Sequence, residues 1–212
     1  MTPALMAIVV FVLGSFALGS ASNVKRGNRA LKWLQGALKA LGDKATVRWI
    51  GTTAVDLGLA SAKAPFESAT VVVFLEPRDI PFVWAYSRLR GRRDTLIVRA
   101  RLGKPPVQDV ELLDRASWSG RDALSRMKDE RWSVREPAAP GGLAAFTRFD
   151  EALARADALE QEARSPGVTV RRLSVRRNDP HLELHVDLPA ASCDAAGFFR
   201  TVRSLGELAL RR

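Results

Sequence analysis

The N-terminal segment from Pro3 to Ser22 constrains this chain most, because it is an apolar run with no charged side chain before Lys25 (PALMAIVVFVLGSFALGSAS). As an α-helix, a segment of about twenty residues extends about 30 Å, which equals the thickness of the hydrocarbon core of a bilayer. The segment therefore predicts a transmembrane anchor over residues 1–24, with a separate domain behind it.

A cleaved signal peptide and a buried core helix are the two alternatives to this anchor. A signal peptide begins with positive charge and has a shorter apolar run, whereas Met1, Thr2 and Pro3 carry no charged side chain. Gly19-Ser20-Ala21 does resemble a cleavage site. The positive side chains follow the apolar run instead, and positive flanks stay in the cytoplasm. We therefore expect a single-pass protein of the cell membrane, with its N-terminus outside and its domain in the cytoplasm.

The charge balance favours an anionic partner. The chain has 33 Lys and Arg against 23 Asp and Glu, a formal charge of +10, which suits phospholipid headgroups or nucleic acid. Cys193 is the single cysteine, so no disulfide can form within the chain.

Residues 25–43 predict a basic amphipathic helix next to the anchor. Leu31, Leu34 and Leu38 fall on one side of a helical wheel and Lys25 and Arg29 on the other. Such a helix can lie in the headgroup region, or it can pack its leucine face on the domain. The residues predicted to contact the membrane surface or another anionic partner here are Lys25, Arg26, Arg29, Lys32 and Lys39.

The stretch from Arg78 to Arg93 (RDIPFVWAYSRLRGRR) predicts a second helix in which aromatic residues stand beside cations. Aromatic rings and guanidinium groups together are typical of a membrane interface. The alternatives are contact with single-stranded nucleic acid and an ordinary helix with its aromatic residues in the core. The predicted contact residues are Trp84, Tyr86, Arg88, Arg90, Arg92 and Arg93.

From residue 44 onward the period of the apolar residues changes from helical to two, which indicates strands. Residues 44–136 and 143–212 form two halves of an α+β domain, separated by a proline- and glycine-rich linker at 137–142. The predicted order of elements is β-α-β-β-α-β over residues 70–135 and β-α-β-β-α over residues 143–210. This order suggests tandem ferredoxin-like (split βαβ) units, with helices on one face of antiparallel sheets, or both sheets fused into one. Two hairpins are predicted, one over residues 95–113 and one over residues 168–188.

The chain carries no motif that predicts catalysis. Neither G-x-x-x-x-G-K-[ST] nor G-x-G-x-x-G occurs. His181, Glu183, His185 and Asp187 alternate on one predicted strand, but the two histidines would lie about 13 Å apart, too far for one metal ion. This row therefore predicts a solvated outer face, and we expect no enzyme activity, no cofactor and no metal.

The sequence therefore favours a membrane-anchored interaction or scaffold protein whose domain lies against anionic headgroups and binds an unidentified protein partner. The alternative is a membrane-tethered nucleic-acid-binding protein that uses the arginines of residues 88–101 and 171–177. Small residues spaced four apart, Ser15 with Gly19 and Ala17 with Ala21, add self-association through the anchor as a further hypothesis.

Overall fold

The computed structural model of the chain describes residues 2–59, 61–127, 131–139 and 141–211. Met1, Arg212 and Pro140 of the predicted linker lie outside the described residues. The helices are α1 (Pro3–Gln35), α2 (Pro81–Leu89), α3 (Trp118–Arg126), α4 (Leu153–Ala163) and α5 (Ala195–Leu210). The strands are β1 (Ala45–Ile50), β2 (Ala54–Leu59), β3 (Phe66–Phe74), β4 (Thr95–Leu102), β5 (Val110–Leu113), β6 (Ser133–Arg135), β7 (Ala144–Thr147), β8 (Val170–Val175) and β9 (Leu182–Asp187).

The nine strands of the described residues form one antiparallel sheet in the order β1-β2-β3-β4-β9-β8-β5-β7-β6. The α+β class is therefore confirmed. Tandem ferredoxin-like units are not confirmed, because α2 connects β3 and β4, which are antiparallel neighbours. In a split βαβ unit the helix connects two parallel strands that lie on either side of a third strand. Instead, β9 lies between β4 and β8, and β5 lies between β8 and β7. Strands from before and after residues 137–142 thus alternate in a single sheet.

The predicted hairpin over residues 95–113 is wrong, whereas the hairpin of β8 and β9 is confirmed. The strand β4 pairs with β9 rather than with β5. Leu182, Leu184 and Val186 of β9 continue the buried row formed by Leu96 and Val98 of β4. The four-residue strand β5 would have covered only half of β4.

One continuous helix, α1, replaces the two predicted segments on either side of residue 24. No proline interrupts residues 4–35, so nothing in this part of the sequence stops the helix. The apolar residues up to Leu18 are almost all exposed, whereas Ala30 and Leu34 are buried in the domain. By length and composition α1 can span a membrane, with a mean hydropathy of 2.3 over its most apolar part.

The main core lies between one face of the sheet and the helices α4, α5 and the second half of α1. Phe199 of α5 is fully buried there beside Trp33 of α1. The expectation that helices cover only one face is wrong, because α3 packs on the opposite face. Ala123 and Met127 of α3 join a second small core with Leu113 of β5 and Phe146 of β7. Since β5 and β7 are buried at every position, they need cover on both faces.

The antiparallel pairing places two sets of connections at opposite ends of the sheet. We call one the anchor end: it carries the β1–β2 turn, α2 between β3 and β4, and the connection from β5 to α3. The far end carries the β8–β9 turn and Phe149 after β7. The helix α1 meets the domain at the anchor end, where Gly19 lies against Arg78. It then runs along the sheet, so that Gly27 lies against Trp49.

Candidate functional site

The junction between α1 and the domain is built on close backbone contact. A Cβ atom on Gly19 would lie 2.2 Å from the carbonyl oxygen of Arg78 and 2.5 Å from Cα of Asp79. Only hydrogen fits at this position, so the helix touches the chain between β3 and α2 directly. The predicted self-association through Ser15 and Gly19 would need the face of α1 that carries Gly19, and this contact already covers that face.

A buried ion-pair network ties this junction together. Arg78 donates through Nη1 to Oδ1 of Asp94 at 2.8 Å and through Nη2 to Oε2 of Glu76 at 2.8 Å. Asn23 of α1 is fully buried, and its Nδ2 donates to the carbonyl oxygen of Glu76 at 3.1 Å. Its Oδ1 accepts from Arg78 at 3.3 Å. The network therefore joins α1 to the ends of β3 and β4.

Three of the residues predicted to contact the membrane surface take part in this network. Trp84 Nε1 donates to Oε2 of Glu76 at 2.9 Å, and Arg88 pairs with the same carboxylate at 3.1 Å. Arg26 pairs with Asp94 at 3.5 Å. Their interactions orient α2 against α1. The other predicted residues of α1 and the following turn, Lys25, Arg29, Lys32 and Lys39, are exposed.

The opposite side of α2 is apolar and exposed. Phe82 is 78% exposed and Leu89 is 88% exposed, and Val83 and Tyr86 are exposed beside them. The guanidinium of Arg90 lies 5.9 Å from the centre of the Tyr86 ring. The alternative in which the aromatic residues of this helix enter the core therefore holds for neither Phe82 nor Tyr86. Exposed apolar side chains that lie together on a protein surface are typical of interaction sites.

A cavity of about 300 Å³ lies on the sheet face opposite the main core, toward the anchor end. We call it the arginine cavity. Its walls come from the end of β3, from β4, β8 and β9, from the segment after α2, and from α3 with its N-cap residue. The lining residues are Phe74, Gly91, Arg92, Arg93, Thr95, Ile97, Arg99, Ser117, Trp118, Ser119, Asp122, Arg126, Arg171, Arg172, Glu183, His185 and Asp187.

Glu183 is the central carboxylate of this cavity. It pairs with Arg99 at 3.0 Å, with Arg172 at 3.3 Å and with Nε2 of His185 at 2.6 Å. Burial opposes ionisation of Glu183, but the hydrogen bond and charge of His185, with the charges of Arg172 and Arg99, outweigh it. Together they lower the pKa of Glu183 to about 2. Glu183 is therefore an anion at neutral pH.

Two of the arginines behind Glu183 are fixed by further carboxylates. Arg171 pairs with Asp187 and Asp114, both at 2.6 Å, and the hydrogen bond to Asp187 raises the pKa of Arg171. Arg172 pairs at 3.1 Å with Glu111, whose side chain has no exposure. Burial would lower the pKa of Arg172, but the charge of Glu111 reverses this and raises it. These guanidinium groups are permanently charged and held in place.

Arg92 and Arg93 differ from the other cavity arginines, because neither pairs with a carboxylate in the part of the chain that the structure describes. The guanidinium of Arg92 lies 5.8 Å from the centre of the Trp118 ring. Arg93 donates to the carbonyl oxygens of Arg88 and Arg92 at 2.9 and 2.7 Å. Arg121 of α3 donates to the carbonyl oxygens of Arg90 and Ala116, which joins this segment to the start of α3.

The prediction of a solvated outer face for His181, Glu183, His185 and Asp187 is wrong. His185 is only 8% exposed, because α3 and the segment after α2 cover this part of the sheet. His181 is buried too, and its Nδ1 accepts from the backbone amide of Leu102 at 3.0 Å. Among the described residues, no group of three or more His, Cys, Asp or Glu side chains is placed to hold a metal ion.

Sequence reasoning missed the arginine cavity because its residues come from five separate segments. One signal was present: Arg99 and Glu183 each stand at a strand position whose neighbours on both sides are apolar or small, on the face opposite the core. No family model matches the chain, and no curated protein is significantly similar to it. Any functional conclusion therefore depends on the chemistry of the exposed apolar side of α2 and of the arginine cavity.

Proposed function

We propose that the chain is a single-pass membrane protein whose domain is held at the anionic membrane surface by its anchor end, as an interaction or scaffold module. One observation carries the proposal: the exposed apolar part of α1 ends at the anchor end of the sheet, where the exposed apolar side of α2 also lies. Gly19 of α1 touches Arg78 and Asp79, and α2 begins at Pro81.

The lengths support this arrangement. The exposed helix from Pro3 to Leu18 extends about 24 Å, and the segment up to Ser22 extends about 30 Å. If a bilayer surrounds this segment, its hydrocarbon core ends where α1 enters the domain. The headgroup region of the bilayer then lies at the level of α2. Phe82, Val83 and Leu89 would then enter the boundary between headgroups and acyl chains, as in helices that lie flat on membranes.

The charges support a cytoplasmic domain. Lys25, Arg29 and Lys32 are exposed on α1 directly after the apolar segment. Positive residues in this position stay on the cytoplasmic side, where each contributes about 1 kcal/mol of attraction to anionic lipid. The N-terminus would then lie outside the cell.

The nucleic-acid alternative receives less support from the ion pairs. Arg99 pairs with Glu183, Arg101 with Glu67, and Arg176 with Glu111. Arg171 and Arg172 are paired as well. An arginine that is already paired with a carboxylate contributes little to the counterion release that drives binding to a phosphate backbone.

Lipid contact by α2 can be tested with an environment-sensitive fluorophore on the full chain in nanodiscs that contain anionic lipid. In a Cys193→Ser background, Phe82→Cys is labelled and compared with Phe149→Cys, which is also exposed but lies at the far end of the sheet. We expect a blue-shifted emission, and quenching by spin-labelled lipid, for the label at position 82 only. Equal emission and quenching at the two positions would contradict the proposal.

The orientation needs a separate measurement in intact cells. A tag at the C-terminus should be protected from external protease until the cells are lysed, and the protein should keep its full length on the same gel. Digestion in intact cells would place the domain outside, and a shortened protein would show that the apolar segment is cleaved.

A further inference from the structure

We propose that the arginine cavity binds the phosphate group of a small organic phosphate monoester. This inference goes beyond the membrane attachment proposed above and uses only the residues of the cavity. A label at position 82 that stays out of the lipid would therefore leave it intact.

The charge of the cavity favours an anion. Six arginines line it, namely Arg92, Arg93, Arg99, Arg126, Arg171 and Arg172, against the three carboxylates Asp122, Glu183 and Asp187. Four of the six arginines are paired with carboxylates, since Arg126 pairs with Asp122 at 2.8 Å and the other three are described above. Arg92 and Arg93 remain without a carboxylate partner among the described residues. A phosphate monoester carries a charge of about −2 at neutral pH, which matches these two guanidinium groups.

The first turn of α3 supplies donors to the same cavity. Ser117 caps this helix, and its Oγ accepts from the amide of Gly120 at 2.9 Å. The amide of Arg121 donates to the carbonyl oxygen of Ser117. The amides of Trp118 and Ser119 have no hydrogen-bond partner within the described ranges, and both residues line the cavity. Free amides at a helix N-terminus bind phosphate oxygens well, since the helix dipole adds to their hydrogen bonds.

The remaining walls indicate a small ligand with an organic part. Phe74, Ile97 and the Trp118 ring provide apolar surface next to the arginines. A volume of about 300 Å³ is at the lower end of the range for small-molecule pockets. Arginine forks bind phosphate through paired hydrogen bonds, which a lysine cannot copy. A nucleic acid strand would need an open groove instead.

The position of the cavity allows two sources for this phosphate. Arg92 and Arg93 follow α2 by a few residues, so the cavity lies at the anchor end, near the proposed membrane surface. A lipid headgroup with a terminal phosphate could reach it, and so could a soluble phosphate ester. The experiment separates these two sources.

Binding should be measured calorimetrically on the full chain in nanodiscs made of zwitterionic lipid, with inorganic phosphate and glycerol 3-phosphate as soluble probes. A parallel arm compares the thermal stability of the protein in nanodiscs with and without phosphatidic acid. We expect Arg92→Ala and Arg93→Ala each to weaken binding about tenfold or more, because each removes a charge-assisted contact. The matched control is Arg101→Ala, which removes an exposed arginine outside the cavity and should change binding less than twofold.

The outcomes are distinct. Binding of glycerol 3-phosphate that depends on Arg92 and Arg93 supports the proposal with a soluble ligand. Stabilisation by phosphatidic acid alone, lost in the same variants, supports it with a lipid ligand. If Arg92→Ala does not fold, Arg92→Lys keeps the charge but lacks the planar fork over Trp118, and it should still bind at least threefold more weakly. Absence of binding by the unmodified chain in both arms, or equal binding by the Arg92 variants and Arg101→Ala, would overturn the proposal.

Discussion

At the scale of single residues, the polar face of the sheet depends on buried and half-buried carboxylates that pair with arginines. The side chain of Glu111 is fully buried, and it accepts hydrogen bonds from Arg172, Arg176 and Ser174. Glu183 bridges Arg99 and Arg172 across neighbouring strands. Breaking one such pair leaves an uncompensated buried charge, which costs more free energy than the intact pair contributes.

Glu183 should make the stability of the domain depend on pH in the acid range. Its pKa is lowered from 4.5 to about 2 in the folded state, so between these values the unfolded chain binds more protons. The stabilisation is complete above about pH 5.5 and is lost as the pH falls toward 2. It amounts to about 2 kcal/mol after allowance for solvent screening.

Chemical denaturation of the detergent-solubilised full chain from pH 6 to pH 2 measures this effect. The free energy of unfolding should fall more steeply for the native protein than for Glu183→Gln, which cannot titrate at this position. The difference between the two proteins should shrink as the pH approaches 2. A difference that stays constant over this range would show that Glu183 is not protonated on unfolding.

At the scale of elements, the docking of α1 depends on glycine at position 19. Gly19→Ala should disturb the segment between β3 and β4, because its Cβ would clash with the backbone of Arg78 and Asp79. Overpacking of this kind costs about 1–3 kcal/mol. Hydrogen exchange of residues 76–94 should accelerate roughly tenfold.

Gly14→Ala is the matched control for this substitution. It makes the same chemical change on the same helix, but among the described residues no atom outside the local helix backbone lies within 4 Å of its Cβ position. We expect its exchange rates to equal those of the native protein. Equal acceleration in both variants would mean that the alanine acts through the helix itself rather than through its contact with the domain.

The sequence predicts these elements better than it predicts their partners. The apolar run, the basic turns after it and the strands of period two are local patterns, and the structure contains all of them. A period of two shows which side chains of β4 face the core, but it does not show whether β5 or β9 lies beside it. For the same reason the sequence does not show which segments form the arginine cavity, since Arg92, Arg172 and Glu183 come to line one cavity only after the strands are ordered.

At the scale of the whole molecule, the insertion of β9 between β4 and β8 makes the sheet one cooperative unit. Residues 1–141 contain β4 but lack β8 and β9, so this fragment should not fold alone. Coexpression with residues 142–212 should restore a complex that copurifies through a tag on the second fragment and resists limited proteolysis. Cooperative unfolding of the first fragment by itself would show instead that residues 44–136 form an independent domain.

The continuous helix α1 has a mechanical consequence. The helix passes without interruption from the exposed apolar segment to its buried contacts at Ala30 and Leu34. The apolar segment and the domain therefore rotate together as one rigid body. Transmembrane helices adjust their tilt to the thickness of the bilayer. If α1 spans a membrane as proposed, a thinner membrane would make this helix lean further and the sheet lean with it, so that α2 and the mouth of the arginine cavity would change their angle to the lipid surface. The local thickness of the membrane would thus set what the domain presents to its surroundings.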